Sequence, residues 1–204
     1  MDLNIKNMLQ KYDNKVILDH INLEIKDKSG IVLIGPSGAG KSTLLRLLAG
    51  IEDPISGEIL LNKHIVTQED KKAYYKHVGF VFQAHNLFPH LTILRNITIV
   101  LEKVHHMEIE EANEIAIRLL KQFELFEHKD KIPAKISGGQ AQRASIIRSL
   151  AINPEVVFLD EPTGGVDPAT RRQFWELIYD AADRGITIFV TTHYMDEAEY
   201  CDRV

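Results

Sequence analysis

The stretch Gly35-Pro36-Ser37-Gly38-Ala39-Gly40-Lys41-Ser42-Thr43 reads G-x-x-x-x-G-K-[ST], a pattern that cradles phosphate. Its glycines let backbone N–H groups turn inward around phosphate oxygens without a Cβ in the way. Lys41 adds a point charge for the β- and γ-phosphates, and the Ser42 hydroxyl is a Mg²⁺ ligand type. Val156-Val157-Phe158-Leu159-Asp160-Glu161 ends on two carboxylates. Asp160 suits hydrated Mg²⁺, and Glu161 suits polarising a water that attacks the γ-phosphate. A third device is Ile136-Ser137-Gly138-Gly139-Gln140. Ser137 is a helix-cap type, and the glycines expose backbone donors at the positive end of a helix expected to begin at Gln140. One ATP does not easily reach both phosphate devices across a helical insert. The second device is therefore expected to grip nucleotide bound to another copy.

Buried strands and helices must position these groups. Ile31-Val32-Leu33-Ile34 is an unbroken β-branched run ahead of the glycines, and Lys41 to Ala49 predicts a helix closed by Gly50. Val78 to Phe82, Val156 to Leu159 and Ile186 to Val190 read as further buried strands. Helical spacing over Glu108 to Phe126, a helix over Gln140 to Ala151 and one opened by Asp167-Pro168 lie between them. This alternation predicts an α/β core with a parallel sheet. The first 30 residues differ. Ile17, Asp19, Ile21, Leu23 and Ile25 alternate with their neighbours, which predicts antiparallel strands with one wet face, and Gly57 to Asn62 adds an edge strand.

Composition narrows the classes. The 204 residues are 45% apolar and 26% charged, as in a globular domain, and carry a formal charge of −5. That mild acidity speaks against a nucleic-acid partner. The single cysteine, Cys201, cannot form an internal disulfide, which fits a reducing compartment. No apolar run reaches the roughly 18 residues of a membrane span, and Met1 to Lys6 has no apolar signal core. A membrane role is expected to come through a partner. His64 and His105-His106 are too isolated for a metal site and read as solvated surface.

Taken together and in order, the motifs resemble those of the nucleotide-binding subunit of ATP-binding cassette (ABC) transporters. Gly35 to Thr43 is similar to the Walker A loop, Gln83 to the Q-loop glutamine, and Ile136 to Gln140 to the signature, with Ile where Leu is usual. Val156 to Glu161 looks like Walker B with the catalytic glutamate, His193 resembles the switch histidine, and Asp167 the D-loop aspartate. Tyr12 is placed like the aromatic that stacks on adenine. The resemblance implies a P-loop NTPase (RecA-like) core with an antiparallel β-subdomain and a helical subdomain, about residues 84–153, inserted between Q-loop and signature. Residues 1–204 would form one such domain, truncated at its C-terminus relative to the family.

The implied cofactors are ATP and Mg²⁺, the latter held by Ser42, Gln83 and Asp160. The implied catalytic set is Glu161, His193, Gln83 and Lys41. ATP would lie between Gly35, Pro36, Ser37, Gly38, Ala39, Gly40, Lys41, Ser42 and Thr43 of one subunit and Ser137, Gly139 and Gln140 of the other. Tyr12 would meet the base. The partner subunit would be a second copy or a heterodimeric equivalent. An integral-membrane transporter subunit would recruit the pair to the cytoplasmic face of the membrane.

Two branches of the family are represented. Gln83 to Thr92 looks like polar amino-acid importers, whereas Glu161 to Asp167 and Thr191 to Glu199 look like multidrug-type exporters. The importer branch is favoured on the longer front portion. A non-transport ATPase regulating a membrane partner stays open. Gln83 and Ser137 are 137 − 83 = 54 positions apart, too few for the coiled coil of repair ATPases, and one cassette is too few for most translation factors. Leu87, Phe88 and Leu91 either receive a helix of the membrane subunit or pack the helical part.

Overall fold

The computed structural model describes residues 1–68, 70–164 and 168–193, with backbone alone at 168–170, 173 and 177. Asp167 and the exporter-like tail beyond His193 lie outside them. Two four-stranded sheets organise the chain. The first is antiparallel, in the order β2 (Lys15–Ile25), β1 (Leu3–Tyr12), β4 (Ser56–Leu61) and β5 (His64–Ile65). The second is parallel, in the order β3 (Gly30–Ile34), β8 (Thr187–Thr192), β7 (Val156–Asp160) and β6 (Val78–Val81). Every residue of β7 and β8 is buried, as two central strands covered on both faces require.

Two apolar cores lie against the parallel sheet. Leu3, Ile5 and Ile59 of the antiparallel sheet share one with Leu44, Leu45, Leu47 and Leu48 of α1 (Lys41–Leu48) and with Phe158 and Phe189. Burying each of those two phenylalanines stabilises the fold by roughly 2–3 kcal/mol. The other core collects α3 (Ile93–Val104), α4 (Ile109–Gln122), α5 (Gly138–Ala151) and α6 (Pro168–Asp183) around Val157, Leu159, Ile188 and Val190. The short α2 (Lys71–Tyr74) anchors Tyr74, whose hydroxyl donates to Leu48 O at 2.7 Å.

The antiparallel strands and the α/β alternation appear as the residue pattern predicts. Several elements depart from it. α5 begins at Gly138, not Gln140, because Ser137 Oγ accepts from Gln140 N while Gln140 Oε1 accepts from Ser137 N. That reciprocal cap pulls both glycines into the first turn. α4 stops at Gln122, and the left-handed Glu124 (φ 55°) separates it from a 3-10 turn over Phe126–His128. α3 was not expected. Thr92 caps it by accepting from Arg95 N, and Asn96 holds the preceding loop through Phe88 and Leu91. Leu87 packs against the helical core, whereas Phe88 is exposed. His64 is not solvated: it is buried beside Tyr74 and His77. Strand pairing places it there: Leu61 pairs with His64 and Leu60 with Ile65.

Gly57 shows how tightly β1 and β4 meet. Its φ is +99°, and a Cβ there would sit 2.5 Å from Met8 Cα and 2.6 Å from Asn7 O. Asn7 is itself left-handed, at the irregularity in β1 that shifts its register with β4. Gly57→Ala is therefore expected to cost about 2–4 kcal/mol in urea unfolding. An unchanged unfolding midpoint would contradict this packing.

Candidate active site

The phosphate loop connects β3 to α1. Gly40 sits at φ 92°, where an added Cβ would approach Leu18 Cδ2 at 3.0 Å and Ile17 Cγ2 at 3.1 Å. Glycine thus serves both the left-handed turn and the close approach of β2. Gly40 is the N-cap of α1 and offers no side-chain cap, so the helix's first amides and its positive end face the loop. Lys41 is buried, and its ammonium donates to Gly35 O at 2.8 Å and Pro36 O at 3.0 Å.

β7 and β8 deliver the acidic groups at their C-terminal ends, beside that loop. Ser42 Oγ donates to Asp160 Oδ1 at 2.7 Å. Thr191 Oγ1 donates to the same oxygen at 2.9 Å and accepts from Glu161 N at 2.9 Å. Its single proton goes to the carboxylate rather than to Leu159 O, which is more distant at 3.5 Å. Glu161 N also faces Thr191 O at 3.2 Å. These bonds hold Glu161 in a left-handed conformation, φ 47°, unusual for a non-glycine residue. That bend carries its side chain off the strand and into the cleft.

The Glu161 carboxylate is held on both oxygens. Gln83 Nε2 donates to Oε2 at 3.2 Å, and His193 Nε2 lies 2.8 Å from Oε1. Lys41 Nζ is 3.8 Å from Oε1 and 3.3 Å from His193 Nδ1. A neutral ring protonated at Nε2 satisfies both contacts: Nδ1 accepts from Lys41, and Nε2 donates to Glu161. The loop after Gln83 is pinned to α5, where Ser145 Oγ donates to His85 O at 2.8 Å and Arg148 Nη1 to Asn86 O at 2.9 Å. Burial pushes the His85 imidazole below its ordinary pKa and lowers that of the Arg148 guanidinium.

A cleft of about 460 Å³ is lined by Ser37, Gly38, Gly40, Lys41, Ser42 and Thr43 of the loop and by Gln83, Glu161 and His193. Lys15 and Ile17 of β2 also line it. Their sequence context, an alternating strand, carries no sign of that role. Thr191 is the other residue that sequence reasoning left without a role; a threonine following the apolar run of a buried strand is the available signal. Tyr12 is not among the described lining residues. It is exposed, and its hydroxyl bonds to Glu52. Ser137, Gly139 and Gln140 do not line the cleft either. Ser137 lies exposed at the start of α5, and Gln140 Nε2 is 2.8 Å from His128 Nε2.

A glycine loop feeding a helix, a buried lysine, a serine paired with a strand-end aspartate and an adjacent glutamate in the cleft define a P-loop nucleotide phosphatase. The ABC transporter family profile matches residues 18–164, and this chain belongs to that family as its ATP-binding, ATP-hydrolysing domain. It is 40% identical over 196 residues to the glutamate transport ATP-binding protein GluA of Corynebacterium efficiens, covering 95% of this chain and 81% of GluA. It is 36% identical to the probable multidrug ABC transporter ATP-binding protein YbhF of Escherichia coli, covering 98% of this chain and 34% of YbhF. Among solved structures, it resembles the dimeric post-hydrolysis state of the ATP-binding cassette MJ0796 bound to ADP and Pi. The TM-score is 0.89 and the identity 32%, over 98% of this chain and 91% of that one.

Lys41→Ala removes the charge that two loop carbonyls hold at the cleft. Nucleotide affinity, measured by fluorescent ATP titration, should fall by about 10- to 100-fold. Wild-type affinity in that variant would remove Lys41 from the phosphate site.

Proposed function

We propose that this chain is the subunit that powers a polar amino-acid importer, with residues 1–204 acting as one nucleotide-binding domain and residues 84–153 as its helical subdomain. The observation that carries the hydrolytic role is the Glu161 carboxylate, set between Gln83 Nε2 at 3.2 Å and His193 Nε2 at 2.8 Å in the phosphate cleft. The importer assignment rests on the likeness to GluA, which extends over 95% of the chain.

In this reading ATP binds with its phosphates on the 35–43 loop. Glu161 takes a proton from water as the water oxygen attacks the γ-phosphorus. The bond to the β,γ-bridging oxygen breaks, and ADP and phosphate leave. His193 and Gln83 hold the carboxylate in line, which supplies orientation rather than new chemistry. The donor set beside it is all oxygen, with Ser42 Oγ and Asp160 Oδ1 2.7 Å apart, and suits a hard divalent cation. Ser42, Asp160 and the Gln83 amide oxygen would hold Mg²⁺, which would neutralise charge on the β- and γ-phosphates.

The second phosphate device belongs to a neighbouring copy, homodimeric or heterodimeric. Ser137, Gly139 and Gln140 stand apart from the cleft of their own chain, and the MJ0796 neighbour is described as a dimer. Tyr12 is assigned to the adenine side of the same ATP, and Asp167 to contacts across the dimer. Among the described residues no helix is long and apolar enough to cross a membrane. The channel is assigned to an integral-membrane subunit, with this domain on its cytoplasmic face. Closing around ATP and reopening after hydrolysis would drive that subunit, because ATP favours the closed pair. An exporter reading is favoured by one specific observation, the likeness to YbhF over 98% of the chain.

Glu161→Gln should reduce turnover by at least about 100-fold while an ATP-bound dimer accumulates on size-exclusion chromatography. Unchanged turnover would take the base role away from Glu161.

A further inference from the structure

The phosphate site uses the C-terminal ends of the parallel strands. A second cluster of ligand-bearing side chains lies at their N-terminal ends. His64 belongs to β5, His77 immediately precedes β6, and Glu155 immediately precedes β7. Val78 pairs with Val156, and Glu155 N donates to His77 O at 2.8 Å, so the backbone fixes two of the three positions. At roughly 3.3 Å per residue, β7 separates Glu155 from Asp160 by about 16 Å.

Glu155 Oε1 is the focus of the cluster. It lies 3.2 Å from His77 Nδ1 and 3.7 Å from His64 Nε2, and one ligand atom from each residue falls within 4.8 Å of the others. The second carboxylate oxygen, Oε2, accepts from Asn62 Nδ2 at 3.4 Å, which orients Oε1 toward the histidines. The two imidazoles lie with centroids 4.8 Å apart and planes inclined by 35°. A tetrahedral ion with ligand bonds of about 2.0–2.1 Å spaces its ligand atoms about 3.4 Å apart. The two edges at Oε1 bracket that spacing, so closing on an ion asks only for small side-chain movement. His77, 41% exposed, is free to supply that movement more readily than His64, at 8%.

We propose that His64, His77 and Glu155 form a binding site for a divalent transition-metal ion, Zn²⁺ above all. Two imidazole nitrogens and one carboxylate oxygen suit zinc better than Mg²⁺ or Ca²⁺, which favour all-oxygen sets. Three protein ligands leave a fourth position to water on the exposed side. Among the described residues, Lys63 is a modest competing cation: its Nζ lies 3.6 Å from Oε1 on a side chain 74% exposed, and such a surface pair contributes little. A bound ion would tie the antiparallel sheet, through β5, to the starts of β6 and β7. It would stabilise the junction of the two sheets far from the hydrolytic cleft.

The test uses the full chain, stripped with chelator and supplied with excess Mg²⁺ and ADP so that the phosphate cleft does not compete. Zn²⁺ is titrated by calorimetry, and thermal unfolding is followed in parallel. Because His64 is buried, His77→Ala and Glu155→Gln serve as the variants. The expected result is saturable binding of one Zn²⁺ with a Kd of about 10 μM or tighter, weakened at least about tenfold in each variant. Zn²⁺ should also raise the unfolding midpoint of the wild type and not of the variants. No saturable binding, or binding that either variant leaves unchanged, would overturn the site.

Discussion

The hydroxyl of Thr191 holds the reactive end of this molecule together. It donates to Asp160 Oδ1 and accepts from Glu161 N, each at 2.9 Å, and it is fully buried. Asp160 in turn receives Ser42 Oγ from the first turn of α1. One side chain on β8 thereby ties the end of β7 to the phosphate loop and sets the backbone bend that turns Glu161 into the cleft. In a buried setting an unmatched member of such a network costs about 1–3 kcal/mol, so the network's geometry is strongly preferred once formed.

The rest of the fold keeps that junction in place. β8 lies between β3 and β7, and its pairing of Thr191 with Leu33 and Asp160 fixes its height against both neighbours. The antiparallel sheet closes over one face of the parallel sheet, with α1 in the same core, and brings Lys15 and Ile17 to the cleft. On the other face, α5 carries the exposed Ser137 at one end and grips the loop after Gln83 through Ser145 and Arg148. A displacement of α5 would therefore be felt at Gln83, which touches Glu161 directly. In the proposed dimer, this contact route would couple nucleotide gripped at the start of α5 to hydrolysis in the cleft that Gln83 lines.

Much of this was legible in the residues. The glycine-lysine loop and the carboxylate pair are marked by residue type and spacing, His193 and Gln83 by the family resemblance, and the structure brings Lys41, Gln83 and His193 each against the Glu161 carboxylate. Unbroken apolar runs marked β7 and β8 because central parallel strands are buried on both faces. What escaped was set by tertiary contact. α3 carries a polar Asn96 that is fully buried only because it satisfies the loop at Phe88 and Leu91. His64 reads as isolated along the chain, yet strand pairing buries it beside His77, and Glu155 arrives from 91 positions away (155 − 64 = 91). Thr191 follows the apolar run Ile186 to Val190, and its role depends on where β7 stops, because it pairs with Asp160.

The most direct test of this account compares two substitutions at Thr191. Thr191→Ser keeps the hydroxyl, and Thr191→Val keeps the shape while removing it. The measurement is kcat for ATP hydrolysis, with the folded state of each variant checked by thermal unfolding. The account predicts that the serine variant stays within about twofold of wild type while the valine variant falls by about tenfold or more. Equal rates in the valine variant and the wild type would contradict it.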